Sequence, residues 1–155
     1  MKIAIIGHEE KKFTPATKRE AISAISHIVL AAAEPPVIVS GRCHLGGVDI
    51  WAEEVADSLK VPKIIFPPEV HWWDGGDRIG YKQRNIQIAQ AADVVYVIVV
   101  ASLPPGYPPE KWNRGPCYHC AKRSSTAPRH VKSGACWTAW HAVEQLKKQA
   151  HWIVI

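Results

Sequence analysis

The chain has 155 residues, of which 47% are apolar and 21% are charged. This length suits one globular domain, and the composition excludes a disordered or fibrous protein. No apolar run approaches the roughly 18 residues that a transmembrane helix requires, so we expect no membrane partner. The apolar run Met1–Gly7 is too short for a secretory signal peptide and has no cleavage site. We therefore expect a cytoplasmic protein.

The positive charge is concentrated in one segment. The formal net charge is +5. Residues 101–133 hold six basic side chains and one acid, Glu110, so this segment carries the charge of the whole chain. It also holds six of the 12 prolines. We therefore predict a single domain over residues 1–155, with a Pro-rich basic insert at about 103–133.

Short apolar runs alternate with segments of helical period outside this insert. The apolar runs predict strands, over residues 3–6, 37–39, 63–66, 94–100 and 151–155. The segments between them repeat apolar residues every three or four positions and predict helices, over about 15–32, 48–59, 83–92 and 138–149. Thr14 and Pro15 suit the cap and first position of the first helix, and Thr17 with Glu20 offers an alternative capping box.

Strands that are apolar on both faces and alternate with helices are typical of a parallel sheet covered on two sides. We therefore predict an α/β fold. It is a Rossmann-like three-layer sandwich, with a mainly parallel sheet of about five strands and helices on both faces. Ligands of such folds bind outside the carboxyl ends of the strands. We therefore expect the site residues to lie at that edge of the sheet.

A glycine-rich junction follows the second predicted strand. It reads Ser40-Gly41-Arg42-Cys43-His44-Leu45-Gly46-Gly47-Val48-Asp49. Glycines here let backbone N–H groups approach an anion, and the following helix N-terminus adds roughly half a positive charge. An ordinary strand–helix turn explains the same glycines. The junction matches neither the dinucleotide-binding fingerprint nor the P-loop, which argues against a nucleoside triphosphatase.

Two further helix starts carry side chains suited to anions. Ser133, Gly134 and Thr138 lie near the start of the last predicted helix, where small and hydroxyl residues serve either an anion or a plain N-cap. Arg84 and Asn85 lie at the start of the third helix. The arginine fork fits a phosphate or carboxylate, and a solvated helix face is the alternative.

Four residues of the insert have the order and spacing of a small tetrahedral metal site. They are Cys117, Cys120, His130 and Cys136, in a C-x2-C-x9-H-x5-C pattern typical of structural zinc. Zinc would supply folding energy that this Pro-rich segment lacks. His119 competes with His130 as a ligand, and a redox function of the C-x2-C pair is the alternative.

The insert also suits a nucleic acid. Its cations and the rings of Tyr107, Trp112 and Tyr118 match a single strand, whose phosphates pair with cations and whose bases stack on rings. A lid over an anionic small ligand explains the same composition.

The motifs, taken in order, are similar to those of a known group. They are the strand end at Gly7, the junction Ser40–Asp49, the pair Arg84-Asn85 and the helix start Ser133–Thr138. This order resembles the SLOG superfamily, the Rossmann-like group that contains the Lonely Guy phosphoribohydrolases and the DNA-processing protein A. The similarity is greatest to its small YspA-like branch and covers nearly the whole chain except about residues 103–130.

The resemblance implies a nucleotide or nucleotide-derived ligand whose phosphate lies on the two glycine-bearing helix starts. The ligand-binding residues it implies are Gly7, Ser40, Gly41, Arg42, Gly46, Gly47, Asp49, Arg84, Asn85, Ser133, Gly134 and Thr138. Lonely Guy enzymes carry a Pro-Gly-Gly-x-Gly-Thr-x-x-Glu motif with a catalytic Glu. Aligning its Thr on Thr138 places His141 at the position of that Glu.

We therefore expect a protein that senses or sequesters a phosphorylated, nucleotide-like small molecule. One alternative is an enzyme that hydrolyses the glycosidic bond of a nucleoside phosphate, with Asp49 and Glu53 in acid, base or nucleophile roles. The other is a binder of single-stranded nucleic acid through the insert. The sequence leaves the oligomeric state open, including a homo-oligomer.

Overall fold

A five-stranded parallel sheet lies at the centre of the computed structural model, which describes residues 1–107, 117, 119 and 129–155. Its strands are β1 (Lys2–Gly7), β2 (Val37–Ser40), β3 (Lys63–Ile65), β4 (Val94–Val99) and β5 (Gln149–Val154). They are ordered β3-β2-β1-β4-β5, and each neighbouring pair is parallel. The chain therefore builds one side of the sheet outward from β1 and then returns to build the other, which places the topological switch point between β1 and β4.

Helices cover both faces of this sheet. They are α1 (Pro15–Leu30), α2 (Val48–Ser58), α3 (Tyr81–Ala91) and α4 (Gly134–Leu146), and a short 3-10 turn lies at Glu10–Lys12. Ile3 and Ile5 of β1 belong to a core with α1 and α2, whereas Ala4 and Ile6 belong to a core with α3 and α4. This alternation follows from the two-residue period of a strand. The predicted three-layer α/β sandwich is confirmed.

The start of α1 uses the capping residues that the sequence supplies. Thr14 is the N-cap, its hydroxyl accepts from the N–H of Thr17, and Pro15 follows at the first helical position. The Thr17 hydroxyl accepts in turn from the N–H of Thr14 at 2.8 Å, which completes a capping box. The alternative box between Thr17 and Glu20 is therefore wrong, because Thr17 is already the third residue of that helix.

The helix α4 begins and ends earlier than its apolar period predicts. The Ser133 side chain accepts from the N–H of Ala135 at 3.1 Å and so caps a helix that starts at Gly134 rather than at Thr138. Its C-cap, Lys147, has a left-handed backbone with φ 56°. That residue ends the helix and lets β5 begin at Gln149.

The helix α3 begins two residues before the predicted position 83. The N–H groups of Tyr81 and Lys82 donate to the carbonyls of Trp72 and Trp73, at 3.0 and 2.9 Å. Backbone carbonyls thus replace a side-chain cap, which leaves little trace in the sequence. Within the described ranges, none of the helices combines the length and apolar character needed to cross a bilayer.

Candidate functional site

A cavity of about 420 Å³ opens beyond the carboxyl end of β1. Its walls come from the segment after β1 and from the starts of α2, α3 and α4. The predicted ligand residues that line it are Gly7, Asp49, Arg84, Asn85, Ser133, Gly134 and Thr138. Three motifs far apart in the sequence therefore meet at one edge of the sheet, where α/β folds bind their ligands.

The predicted site residues that do not line the cavity are Ser40, Gly41, Arg42, Gly46, Gly47 and Glu53. Glu53 shows what holds such a residue instead. Its Oε1 accepts from the Ser40 hydroxyl at 2.8 Å, and its Oε2 accepts from Nε and Nη2 of Arg42 at 3.1 and 2.9 Å. The Ser40 hydroxyl also accepts from the N–H of Arg42 at 3.2 Å. These bonds fix the β2–α2 junction. Glu53, which the sequence offers as a catalytic partner of Asp49, serves there in an ion pair outside the cavity.

Asp49 and Arg84 form a buried ion pair on the cavity wall. Arg84 Nη1 donates to Asp49 Oδ2 at 3.1 Å, and the N–H of Gly7 donates to the same carboxyl group. Burial raises the pKa of the Asp49 carboxyl, while the charge and hydrogen bond of Arg84 act in the opposite direction. The guanidinium also lies over the Tyr81 ring, 5.6 Å from its centroid.

The junction glycines make room for this arrangement. A Cβ on Gly41 would lie 1.5 Å from Arg84 Nη1. Gly47 caps α2 with φ 90°, and a Cβ there would lie 2.2 Å from the carbonyl oxygen of His8. The first N–H of α2, on Val48, already donates to that carbonyl at 3.1 Å. The start of α2 thus presents the acid Asp49 to the cavity. Gly46, which has a φ of 75°, packs against Glu10.

Two buried polar atoms of residues that line the cavity lack a hydrogen-bond partner among the described residues. They are Arg84 Nε and Thr138 Oγ1, and both are buried. Thr138 lies in the second turn of α4, next to the first-turn N–H groups that a helix leaves unbonded. We call Arg84 Nε and Thr138 Oγ1 the two open atoms. An anion in the cavity would accept hydrogen bonds from such donors.

Several cavity residues were not predicted. They include His8, Glu9, Lys12, Cys43, Leu45, Trp73, Tyr81, His119 and Lys132. Lys12 is buried, its Nζ donates to the carbonyl of Lys132 at 3.2 Å, and burial lowers the pKa of its ammonium. A lysine five positions after a strand carries no pattern that would single it out, and only the 3-10 turn brings it inward.

His8 joins three distant segments at the cavity. Its Nδ1 accepts from the N–H of Val100 at 3.1 Å, and its Nε2 donates to the carbonyl of Lys132 at 3.0 Å. These partners fix one neutral tautomer. Burial, with the nearby Lys12, lowers the pKa of His8 to about 3. The end of β1 is thereby tied to the end of β4 and to the segment that precedes α4.

A buried cluster beside this cavity can hold a metal ion. The ligand atoms of Cys117, His130 and Cys136 all lie within 4.8 Å of one another, and each residue is buried. His130 Nδ1 donates to the carbonyl of Val131 at 2.7 Å, so a metal here would be bound through Nε2. Trp152 Nε1 donates to Cys136 Sγ at 3.4 Å, so the sulfur of this cysteine accepts a hydrogen bond beside the cluster.

The fourth predicted ligand, Cys120, lies outside the described residues, as does most of the basic insert. His119, which competes with His130 in the sequence, lines the cavity. Of these two histidines, His130 is the one in the described cluster.

Comparisons with protein-family models, curated proteins and solved structures gave no match. Membership of the SLOG superfamily therefore stays a prediction.

Proposed function

We propose that the chain binds a phosphorylated, nucleotide-derived molecule in the cavity and acts as a sensor or store of it. The observation that carries this proposal is that Arg84 and Thr138, which both line the cavity, each hold a buried polar atom without a partner among the described residues, Arg84 Nε and Thr138 Oγ1. A buried polar group without a partner costs about 1–3 kcal/mol. A phosphate that accepts from both atoms would remove this cost and gain charge-assisted hydrogen bonds.

The charges around the cavity also favour an anion. Arg84 offsets Asp49, and the cavity wall further includes Lys12 and Lys132 against Glu9. The N-terminus of α4, a helix of 13 residues, adds roughly half a positive charge. The volume of about 420 Å³ lies within the range of small-molecule sites.

The proposed metal is zinc, in a structural role. Two thiolates and an imidazole are ligands that zinc prefers, and Cys120 would complete the tetrahedral set. Cys136 lies in the first turn of α4, between Ser133 and Thr138 of the cavity. Zinc would thus supply a fixed position for the helix start that faces the ligand.

Glycosidic hydrolysis of a nucleoside phosphate is the second candidate. Asp49 lines the cavity, and burial raises the pKa of its carboxyl, the direction that suits a group exchanging a proton with a substrate. Glu53 does not line the cavity, so Asp49 alone carries this candidate. Nucleic-acid binding depends on the insert, most of which lies outside the described residues.

Calorimetry on the full, zinc-loaded chain tests the proposal. The ligands are inorganic phosphate, ribose 5-phosphate, the four common nucleoside monophosphates and the corresponding nucleosides. We expect phosphorylated compounds to bind and nucleosides to bind far more weakly. The Arg84→Lys variant should lose at least about tenfold in affinity because lysine cannot reproduce the fork. Arg42→Lys, which changes an arginine outside the cavity, is the matched control.

The outcomes separate the candidates. Binding of none of the phosphorylated compounds overturns the proposal. Release of free base, detected by chromatography and lost in Asp49→Asn, would establish the hydrolase instead. Equal affinity for a nucleoside and its monophosphate would show that the cavity does not recognise the phosphate group.

A further inference from the structure

Two adjacent tryptophans precede α3 and differ in their relation to the cavity. Trp73 lines the cavity wall with 38% of its surface exposed. Trp72 is 56% exposed and is not part of that wall. A large aromatic surface that stays accessible inside a cavity is a binding surface of the kind that ligand sites use.

The backbone around Trp73 is held firmly. Its carbonyl accepts from the N–H of Lys82, and the preceding carbonyl of Trp72 accepts from Tyr81, so both bond to the first turn of α3. The loop then closes on itself, because a Cβ on Gly80 would lie 2.5 Å from the backbone nitrogen of Gly75. The backbone that carries the indole is therefore held in place before a ligand arrives, which reduces the entropy lost on binding.

The ring of Trp73 is supported by α4. It meets the ring of Trp137 edge to face, with centroids 5.0 Å apart and an interplanar angle of 88°. Trp137 in turn stacks on His141, at 5.3 Å and 16°. Trp137 directly precedes Thr138, which bears one of the two open atoms. The ring of Trp73 thus contacts the residue next to Thr138, so the aromatic surface lies against the helix whose start lines the cavity.

We propose that Trp73 stacks on a heteroaromatic ring of the ligand, so that the cavity takes a nucleoside monophosphate in preference to a sugar phosphate. This inference rests on the proposed function and names the ring as the second feature that the site recognises. Every nucleobase has a flat π-face, and a base stacked on an aromatic side chain typically binds about 5- to 100-fold more tightly.

The test compares two ligands and two neighbouring tryptophans. Affinities of the zinc-loaded chain are measured for ribose 5-phosphate and for the best-bound nucleoside monophosphate. We expect the monophosphate to bind more tightly by about 5- to 100-fold. In Trp73→Leu this advantage should disappear while the affinity for ribose 5-phosphate stays unchanged. Trp72→Leu should alter neither affinity.

A second variant at the same position covers a failure of the first to fold. Trp73→Phe retains a smaller ring and should keep part of the advantage, which covers the case in which Trp73→Leu does not fold. Equal affinity of the wild type for both ligands would overturn the stacking proposal and leave phosphate binding intact. An equal loss for both ligands in Trp73→Leu would do the same. If neither ligand binds, the proposed function fails first.

Discussion

Replacing Thr138 by valine should have opposite effects on stability and on ligand binding. Thr138 is fully buried, and its Oγ1 has no hydrogen-bond partner among the described residues. Valine has nearly the same shape but a methyl group in place of the hydroxyl. Removing an unsatisfied buried hydroxyl should stabilise the unliganded protein by about 1–3 kcal/mol. For a domain of this size each kcal/mol raises Tm by roughly 3 °C.

Binding should move the other way. A hydrogen bond to a charged group contributes about 1.5–3 kcal/mol, so losing the hydroxyl should weaken phosphate binding about 10- to 100-fold. Thermal unfolding is followed by circular dichroism in phosphate-free buffer, after dialysis to remove retained ligand. Affinity for inorganic phosphate and for a nucleoside monophosphate is measured by calorimetry.

Thr138→Ser is the matched control because it keeps the hydroxyl and removes only a methyl group. It should lose about 1 kcal/mol of stability and retain its affinity. A valine variant that is less stable than the wild type and binds phosphate equally well would contradict both parts of this prediction. It would mean that the hydroxyl bonds to the protein and never meets the ligand.

Three other perturbations test the packing at two glycines, the metal cluster and the stacked rings of His44 and His71. Gly41→Ala places a Cβ 1.5 Å from Arg84 Nη1, so it should cost about 1–3 kcal/mol in denaturant unfolding; Gly134→Ala, with open space at its Cβ, should instead stabilise by about 0.5–1 kcal/mol. Cys136→Ser should abolish the bound zinc measured by native mass spectrometry and weaken phosphate binding, whereas Cys43→Ser should keep the zinc; unchanged metal in Cys136→Ser would contradict the ligand set. Burial and then the stacked His71 ring, 3.7 Å away, lower the pKa of His44 below its ordinary 6.5. The stability that this stack contributes is therefore present above pH 6.5 and lost as pH falls; NMR titration should show the His44 pKa rising in His71→Asn, and a fall would refute the stack.

The sheet could be predicted because its signals are local. Each strand is a short apolar run, and each helix carries a periodic stripe, so alternation alone indicates the three layers. The cap at Thr14 is equally local, since both partners of the box lie within four residues. The start of α3 could not be located in this way, because its first N–H groups bond to carbonyls nine residues earlier.

Residues that line the cavity could be predicted where a motif ends at the sheet edge, and they were missed where tertiary contacts decide which residues line it. The spacing of Asp49 and Glu53 predicts that they share a helix face. However, Ser40 and Arg42 hold Glu53 by hydrogen bonds, and only Asp49 lines the cavity. Lys12 enters the cavity without any sequence signal. Whether a polar residue lines the cavity depends on its hydrogen-bond partners far along the chain. The periodicity of the sequence does not indicate those partners.

The bridge made by His8 has a consequence for how the molecule acquires its shape. Its ring bonds to groups 92 and 124 positions further along the chain. Closing loops of that length costs chain entropy before the stabilising contacts form. This cost slows folding, as it does for other topologies of high contact order. During synthesis the β1 end must wait for residue 132 to leave the ribosome. A nascent chain that stops after β4 has strands but lacks the α4 residues that line the cavity, so the proposed ligand would stabilise only chains that have been made past that point.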